Sequence, residues 1–189
     1  MNKIIFGLVG AFAAGKGTVA TYFKKNHGAV GYRFSDSLRD ALDIFGLENS
    51  RENLQGISTV LRERFGENLL ARAMAKRVQE TDDQLIIIDG VRRLTDIENL
   101  RSIPGFALIK ITADPKLRHQ RYVKRNENAG DDQLTYEQFL EKQNEEADKQ
   151  IPEVMQTADL TIDNNGTFEQ LYAQVEAILK KINAASGKN

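Results

Sequence analysis

At 189 residues the chain is long enough for one well-buried domain and short for two. Its 26 Lys and Arg nearly cancel 27 Asp and Glu, so the overall field is weak, which argues against a protein that coats nucleic acid or lies on a membrane surface. The lack of cysteine excludes a disulfide framework, a thiolate nucleophile and a thiolate metal site and suits a reducing cytoplasmic setting, and no apolar run approaches the ~18 residues of a membrane span.

In chain order, short runs rich in Ile and Val alternate with longer amphipathic stretches. The apolar start, "MNKIIFGLVGAFAAGKG", reads as a buried strand over residues 3–9 entering a turn, and it lacks the pattern of a signal peptide. A helix follows over 16–26, a strand over 29–34 and a helix over 36–45. Residues 51–80 carry two helices' worth of sequence, with a break expected near "RFGEN" (64–68). Then come a strand at 84–89, a helix at 95–101, a strand at 106–112 and a helix at 115–125. The polar segment "NENAGDDQLT" (126–135) reads as a mobile flap, followed by a helix over 135–150, a strand at 160–163, a helix at 168–182 and a frayed tail.

Strands apolar on both faces and alternating with helices predict parallel pairing through right-handed crossovers. The expected fold is a three-layer α/β/α sandwich around a five-stranded parallel sheet, in one domain spanning 1–189. Its core would be 1–35, 83–125 and 150–183, with a helical acceptor-binding region at 36–82 and a lid at 126–149.

The segment "GAFAAGKGT" fits G-x-x-x-x-G-K between a strand and a helix. In such a loop the backbone N–H groups converge on phosphates, Lys16 adds a point charge, and the helix directs its positive end at the same anion. Glycine serves where the backbone must approach an oxygen too closely for a Cβ. Gly10, Ala13, Ala14, Gly15, Lys16, Gly17 and Thr18 are therefore candidate nucleotide-binding residues. The hydroxyl that usually follows the lysine is displaced by one position, from Gly17 to Thr18.

The spelling G-K-G-T resembles adenylate kinases and other nucleoside monophosphate kinases of the P-loop superfamily, with Phe12 where they place Pro and Ala13 where they place Gly. The resemblance spans nearly the whole chain. "SDSLR" (35–39) resembles their G-D-x-L-R, which implies that Arg39 grips the phosphate of an acceptor; Asp36 is also placed to cap the following helix. "DGVRR" (89–93) resembles their D-G-F-P-R and the D-G-I-R of archaeal P-loop kinases related to adenylate kinase or dephospho-CoA kinase. In one alignment Arg93 is the phosphate-binding arginine, in the other Arg92. Asp89, at the end of a strand, is placed to hold Mg²⁺ through water or to orient the attacking group.

Arg118, Arg121 and Arg125 share one helix face, and the resemblance makes Arg121 and Arg125 the arginines that neutralise the moving γ-phosphoryl group. "TIDNNG" followed by an amphipathic helix resembles the end of dephospho-CoA kinases, which implies that Asn164 and Asn165 lie beside the adenine. Which of Arg62, Arg64, Arg72 and Arg77 face inward stays open. His27 and His119 are isolated, without a second ligand at metal spacing, and read as packing residues.

The function expected is transfer of the γ-phosphoryl group from ATP, with Mg²⁺, to a nucleoside or deoxynucleoside monophosphate. Two alternatives stand beside it: phosphorylation of a ribose hydroxyl in a CoA precursor, and a nucleotide-binding switch with little turnover. The expected partners are small molecules, with no polymeric nucleic acid and no membrane, for a monomer or homodimer.

Overall fold

The computed structural model describes residues 3–125, 133–142 and 149–186. Five parallel strands, β1 (Ile4–Val9), β2 (Val30–Arg33), β3 (Leu85–Asp89), β4 (Phe106–Thr112) and β5 (Leu160–Asp163), form one sheet in the order β2-β3-β1-β4-β5. The helices are α1 (Lys16–His27), α2 (Asp36–Ile44), α3 (Arg51–Phe65), α4 (Leu69–Glu80), α5 (Leu94–Arg101), α6 (Pro115–Arg125), α7 (Tyr136–Lys142), α8 (Ile151–Gln156) and α9 (Phe168–Ser186). The doubly wound sandwich expected from the alternation is present.

Side-chain alternation explains why both faces are covered. Ile5 and Val9 of β1, Ile86 and Ile88 of β3 and Leu108 of β4 point into a core built with α2, α4, α5 and α8. Phe6 and Leu8, Ile87, and Ile109 and Ile111 point the other way, against Val19, Ala20 and Phe23 of α1 and Leu171, Val175 and Ile178 of α9. Strands buried on both faces must read as continuous apolar runs, as "IIFGLV" and "LIIID" do.

The break in residues 51–80 falls at Gly66, whose φ of +99° ends α3 before α4 begins. Two stretches depart most from the sequence reading. The last helix runs on to Ser186, through residues assigned to a frayed tail. Within the helix expected over 135–150, Tyr136–Lys142 is helical, whereas Lys149 and Gln150 are a turn leading into α8, which buries Ile151 and Val154. Of the expected flap, 126–132 lie outside the described residues, as do 143–148 of the expected lid.

The order β2-β3-β1 places the carboxyl ends of three strands in a row, the edge at which open parallel sheets hold ligands. β1 leaves the sheet at Gly10, where an added Cβ would lie 2.5 Å from the carbonyl oxygen of Ile111, the next-to-last residue of β4. Gly10→Ala must therefore push two neighbouring strands apart. We expect it to lower stability by about 1–3 kcal/mol, measured by urea unfolding.

Candidate active site

The loop between β1 and α1 owes its shape to fixings from outside it. Ala13 has φ +59°, the sole positive φ among described residues other than glycine, and Gly15 has φ +101° as the N-cap of α1. A Cβ on Gly15 would lie 2.1 Å from Nδ2 of Asn164. Gly10 and Gly15 are thus demanded by protein atoms packed behind the loop, an oxygen at Gly10 and an amide nitrogen at Gly15. Around Gly17 nothing lies within 4 Å of an added Cβ, so that position is open.

Five of the loop carbonyls, those of Gly10, Ala11, Phe12, Ala14 and Gly15, are held by donors. Lys16 Nζ donates to Gly10 O at 2.8 Å and Ala11 O at 3.2 Å, and the Ala14 amide also donates to Ala11 O. Arg118 donates to Phe12 O at 2.8 Å, Asn164 Nδ2 to Ala14 O at 2.8 Å, and the Val19 amide to Gly15 O. A planar peptide whose C=O is drawn one way presents its N–H the other way. The start of α1 has no side-chain cap and no acidic residue in its first turn, so its amides face an open, electropositive end. A phosphate chain satisfies that demand.

Beside Gly17 the surface dips into a shallow hollow between α1, β2 and β3, with Thr21, Lys24, Arg33 and Asp89 on its rim. Asp89 accepts the Gly90 amide at 2.8 Å through Oδ1, and its other oxygen takes no hydrogen bond from a described residue. Among the described residues no group of three or more His, Cys, Asp or Glu could cage a metal. One available carboxylate oxygen beside a phosphate cradle suits Mg²⁺, which is commonly held by one or two carboxylates together with substrate phosphates. Thr18 is half-buried in the first turn of α1.

The segments after β2 and β3 lie side by side. Phe34 N donates to Asp89 O at 3.4 Å, and Leu38, Phe34 and Val91 share one core. Asp36 does not cap α2. It is the first helical residue, after the N-cap Ser35, and its carboxylate turns back to accept the Arg33 amide at 2.8 Å. A carboxylate one position inside the helix reaches the preceding chain more easily than the helix's own amides. One turn on, Arg39 has its Nε buried without a hydrogen-bond partner among the described residues.

Arg92 and Arg93 part company here. Arg93 forms an ion pair with Glu67 at 2.7 Å, while the side chain of Arg92 is exposed. Both backbone amides donate to Oδ2 of Asp96 at 2.9 Å, and Asp96 is 3% exposed. Oδ1 of Asp96 faces the buried Arg62 at 3.6 Å, and Arg62 in turn donates to the Glu67 carbonyl. This network fastens the α3–α4 junction to the turn that carries both arginines. Arg72 donates to Phe65 O and Arg77 lies over the Tyr32 ring, so both are engaged within the protein.

On α6 the sequence singled out Arg121 and Arg125, yet Arg118 is the arginine built into the loop. It is 5% exposed, donates to Ala113 O and Phe12 O, and lies over the Phe139 ring; burial pushes its guanidinium below its ordinary pKa. Arg121 holds the turn after β5, donating to Asn164 O at 2.6 Å and Gly166 O at 3.3 Å. Asn164 is itself buried, and Asn165 Oδ1 accepts the Asp114 amide at 2.7 Å. Arg125 is exposed and packs over the Tyr122 ring. The two histidines pack: His27 pairs with Glu176 at 2.7 Å and His119 reaches the Leu134 carbonyl at 2.7 Å.

Sequence reasoning passed over Asp96, Phe12 and the fastening role of Arg118. The signal for Asp96 was an acid three residues into a helix whose preceding amides need an acceptor. For Phe12 it was a large apolar side chain in a loop that had to bury it somewhere. Asp96→Ala should cost about 3–5 kcal/mol, because it strands Arg62 and two amides, whereas Glu67→Gln, at a mostly exposed position, should cost under about 1 kcal/mol. Paired denaturant melts measure both.

Comparison with known proteins adds lineage to this geometry. The model of the AAA domain family matches residues 9–139. A UPF0200 protein of Methanothermobacter thermautotrophicus is 30% identical over 184 residues, covering 96% of this chain and 92% of its own. Among solved structures, TT1252 from Thermus thermophilus has a TM-score of 0.57 at 17% identity, covering 96% of this chain and 98% of its own. A shikimate kinase from Bacteroides thetaiotaomicron has a TM-score of 0.55 at 14% identity, covering 95% of this chain and 98% of its own. The fold is that of the P-loop kinases. Among the described residues no helix is long and apolar enough to cross a membrane.

Proposed function

The chain belongs to the AAA domain family and to the UPF0200 proteins, and from that premise we propose that it transfers the γ-phosphoryl group of Mg-ATP to a nucleoside or deoxynucleoside monophosphate. The observation that carries this reading is Arg39: a buried guanidinium nitrogen with no hydrogen-bond partner among the described residues, on a helix that starts beside the ends of β2 and β3. A buried donor left unpaired costs free energy, and an acceptor phosphate would satisfy it. The phosphate-binding shape of the cradle supplies the donor half of the reaction.

Phosphoryl transfer spreads charge over equatorial oxygens, so positioned cations do most of the work. Lys16 turns from the Gly10 and Ala11 carbonyls to the β- and γ-phosphates, and the amides of the first turn of α1 hold the same oxygens. Arg39 and Arg92 align the acceptor, while Arg93 keeps its bridge to Glu67. Arg121 steadies the turn at Asn164 and Asn165 against the base. Arg125, exposed beside the Tyr122 ring, is the cation assigned to the moving group. Asp89 and Thr18 are the residues that would hold Mg²⁺, Asp89 through water; the ion would supply neutralisation of phosphate charge. A cytoplasmic setting supplies ATP and suits the cysteine-free chain.

Two variants test the roles. Lys16→Ala should lower kcat on the order of 10²–10³-fold with every acceptor. Arg39→Ala should chiefly raise the acceptor KM and leave ATP affinity within about twofold; equal loss of ATP affinity in both variants overturns the assignment.

A panel of nucleoside monophosphates, deoxynucleoside monophosphates and dephospho-CoA, read by ADP release, tests the acceptor. Stimulation by dephospho-CoA alone replaces the acceptor class, and ATP consumption that no small molecule accelerates replaces the kinase with a switch.

A further inference from the structure

Phe12 occupies the second position after Gly10, yet its ring does not lie over the cradle. It packs on Tyr122 of α6, with centroids 4.9 Å apart, and on Phe139 of α7, 5.6 Å apart. Phe139 is fully buried; it also meets Tyr122 at 5.8 Å and His119 at 5.4 Å, and the Arg118 guanidinium lies 5.6 Å from its centroid. That same guanidinium donates to Phe12 O. Phe12 is therefore gripped at both ends, its ring by α6 and α7 and its carbonyl by Arg118.

The residue that follows is Ala13, left-handed at φ +59°. An alanine prefers to leave that region, and such a conformation persists when the surroundings over-determine it. The surroundings here are the two fixings of Phe12 on one side and the Asn164 bond to Ala14 O on the other. In a loop with proline and glycine at positions 12 and 13 the bend would be intrinsic to the chain. In this loop it is imposed.

We propose that Phe139 is a positioning residue for the phosphate cradle, acting through Phe12 and in concert with Arg118, although it lies outside the cradle on α7. The proposal rests on the reading of that loop as a phosphate site. Phe139 presses the Phe12 ring into place and backs the guanidinium that holds the Phe12 carbonyl. With it removed, Ala13 relaxes toward negative φ and the amides of residues 13–18 lose their common focus.

The test has two independent arms. In ligand-free protein, hydrogen–deuterium exchange at residues 13–18 should accelerate about five- to tenfold in Phe139→Ala beyond the change at β3 and β4 amides, which report global stability. Phe139→Leu, which keeps most of the buried volume and folds if the alanine variant does not, should show the same local effect in smaller measure. In the second arm, calorimetry with Mg-ADP and with inorganic tripolyphosphate should show affinity lowered about five- to tenfold in Phe139→Ala. Ala13→Gly should restore most of that loss in the Phe139→Ala background and act more weakly in the wild-type background, because glycine needs no outside support at positive φ.

Loop exchange that merely tracks the core, or an Ala13→Gly effect equal in both backgrounds, overturns the proposal. Failure of the wild-type protein to bind either phosphate ligand instead overturns the reading of the loop, while the exchange arm still decides whether Phe139 positions it.

Discussion

Two carbonyl groups of the β1–α1 loop, those of Phe12 and Ala14, are held by side chains from distant segments, and the candidate site depends on that. A peptide has one dipole and two ends, so a loop can offer its amides to an anion only if something else accepts the burden of its oxygens. Here that burden falls on Arg118 after β4 and Asn164 after β5. The sheet order sets β4 beside β1 and β5 beside β4, so the topology and the electrostatics of the site are one fact seen at two scales.

The acceptor side follows a different logic. Around the turn after β3, Asp96, Arg62, Glu67 and Arg93 form a chain of ion pairs, and the insertion is tied to the sheet by charge as well as by apolar contact. Such a network fixes direction, since one carboxylate that takes two amides leaves little freedom to the turn it caps. Arg39 differs from those arginines in having a buried nitrogen with no hydrogen-bond partner among the described residues. The contrast between saturated and unsaturated guanidinium groups separates scaffolding from binding more sharply than arginine content alone.

How much of this was legible beforehand follows the range of each interaction. The strands, the crossovers and the break at residues 64–68 are written in local periodicity and in glycine, and they were read within a few residues. The cradle is written in spacing. The donors that hold it are not: Arg118 meets Phe12 across 106 positions and Asn164 meets Ala14 across 150. Helical phase showed that Arg118, Arg121 and Arg125 share a face, but it could not show which meets a carbonyl and which meets solvent. Asp36 was misjudged for a related reason, because one residue of shift at a helix start redirects a carboxylate from the helix to the chain before it.

Strand order also has a bearing on biosynthesis. β1 is made first, yet both its neighbours, β3 and β4, come after residue 84, and the clasp from Asn164 comes later still. Pairings so distant along the chain form slowly, and an emerging polypeptide has no mature pocket until its final strand has left the ribosome. A nucleotide cannot chaperone the early stages of folding; it can only reward the finished molecule.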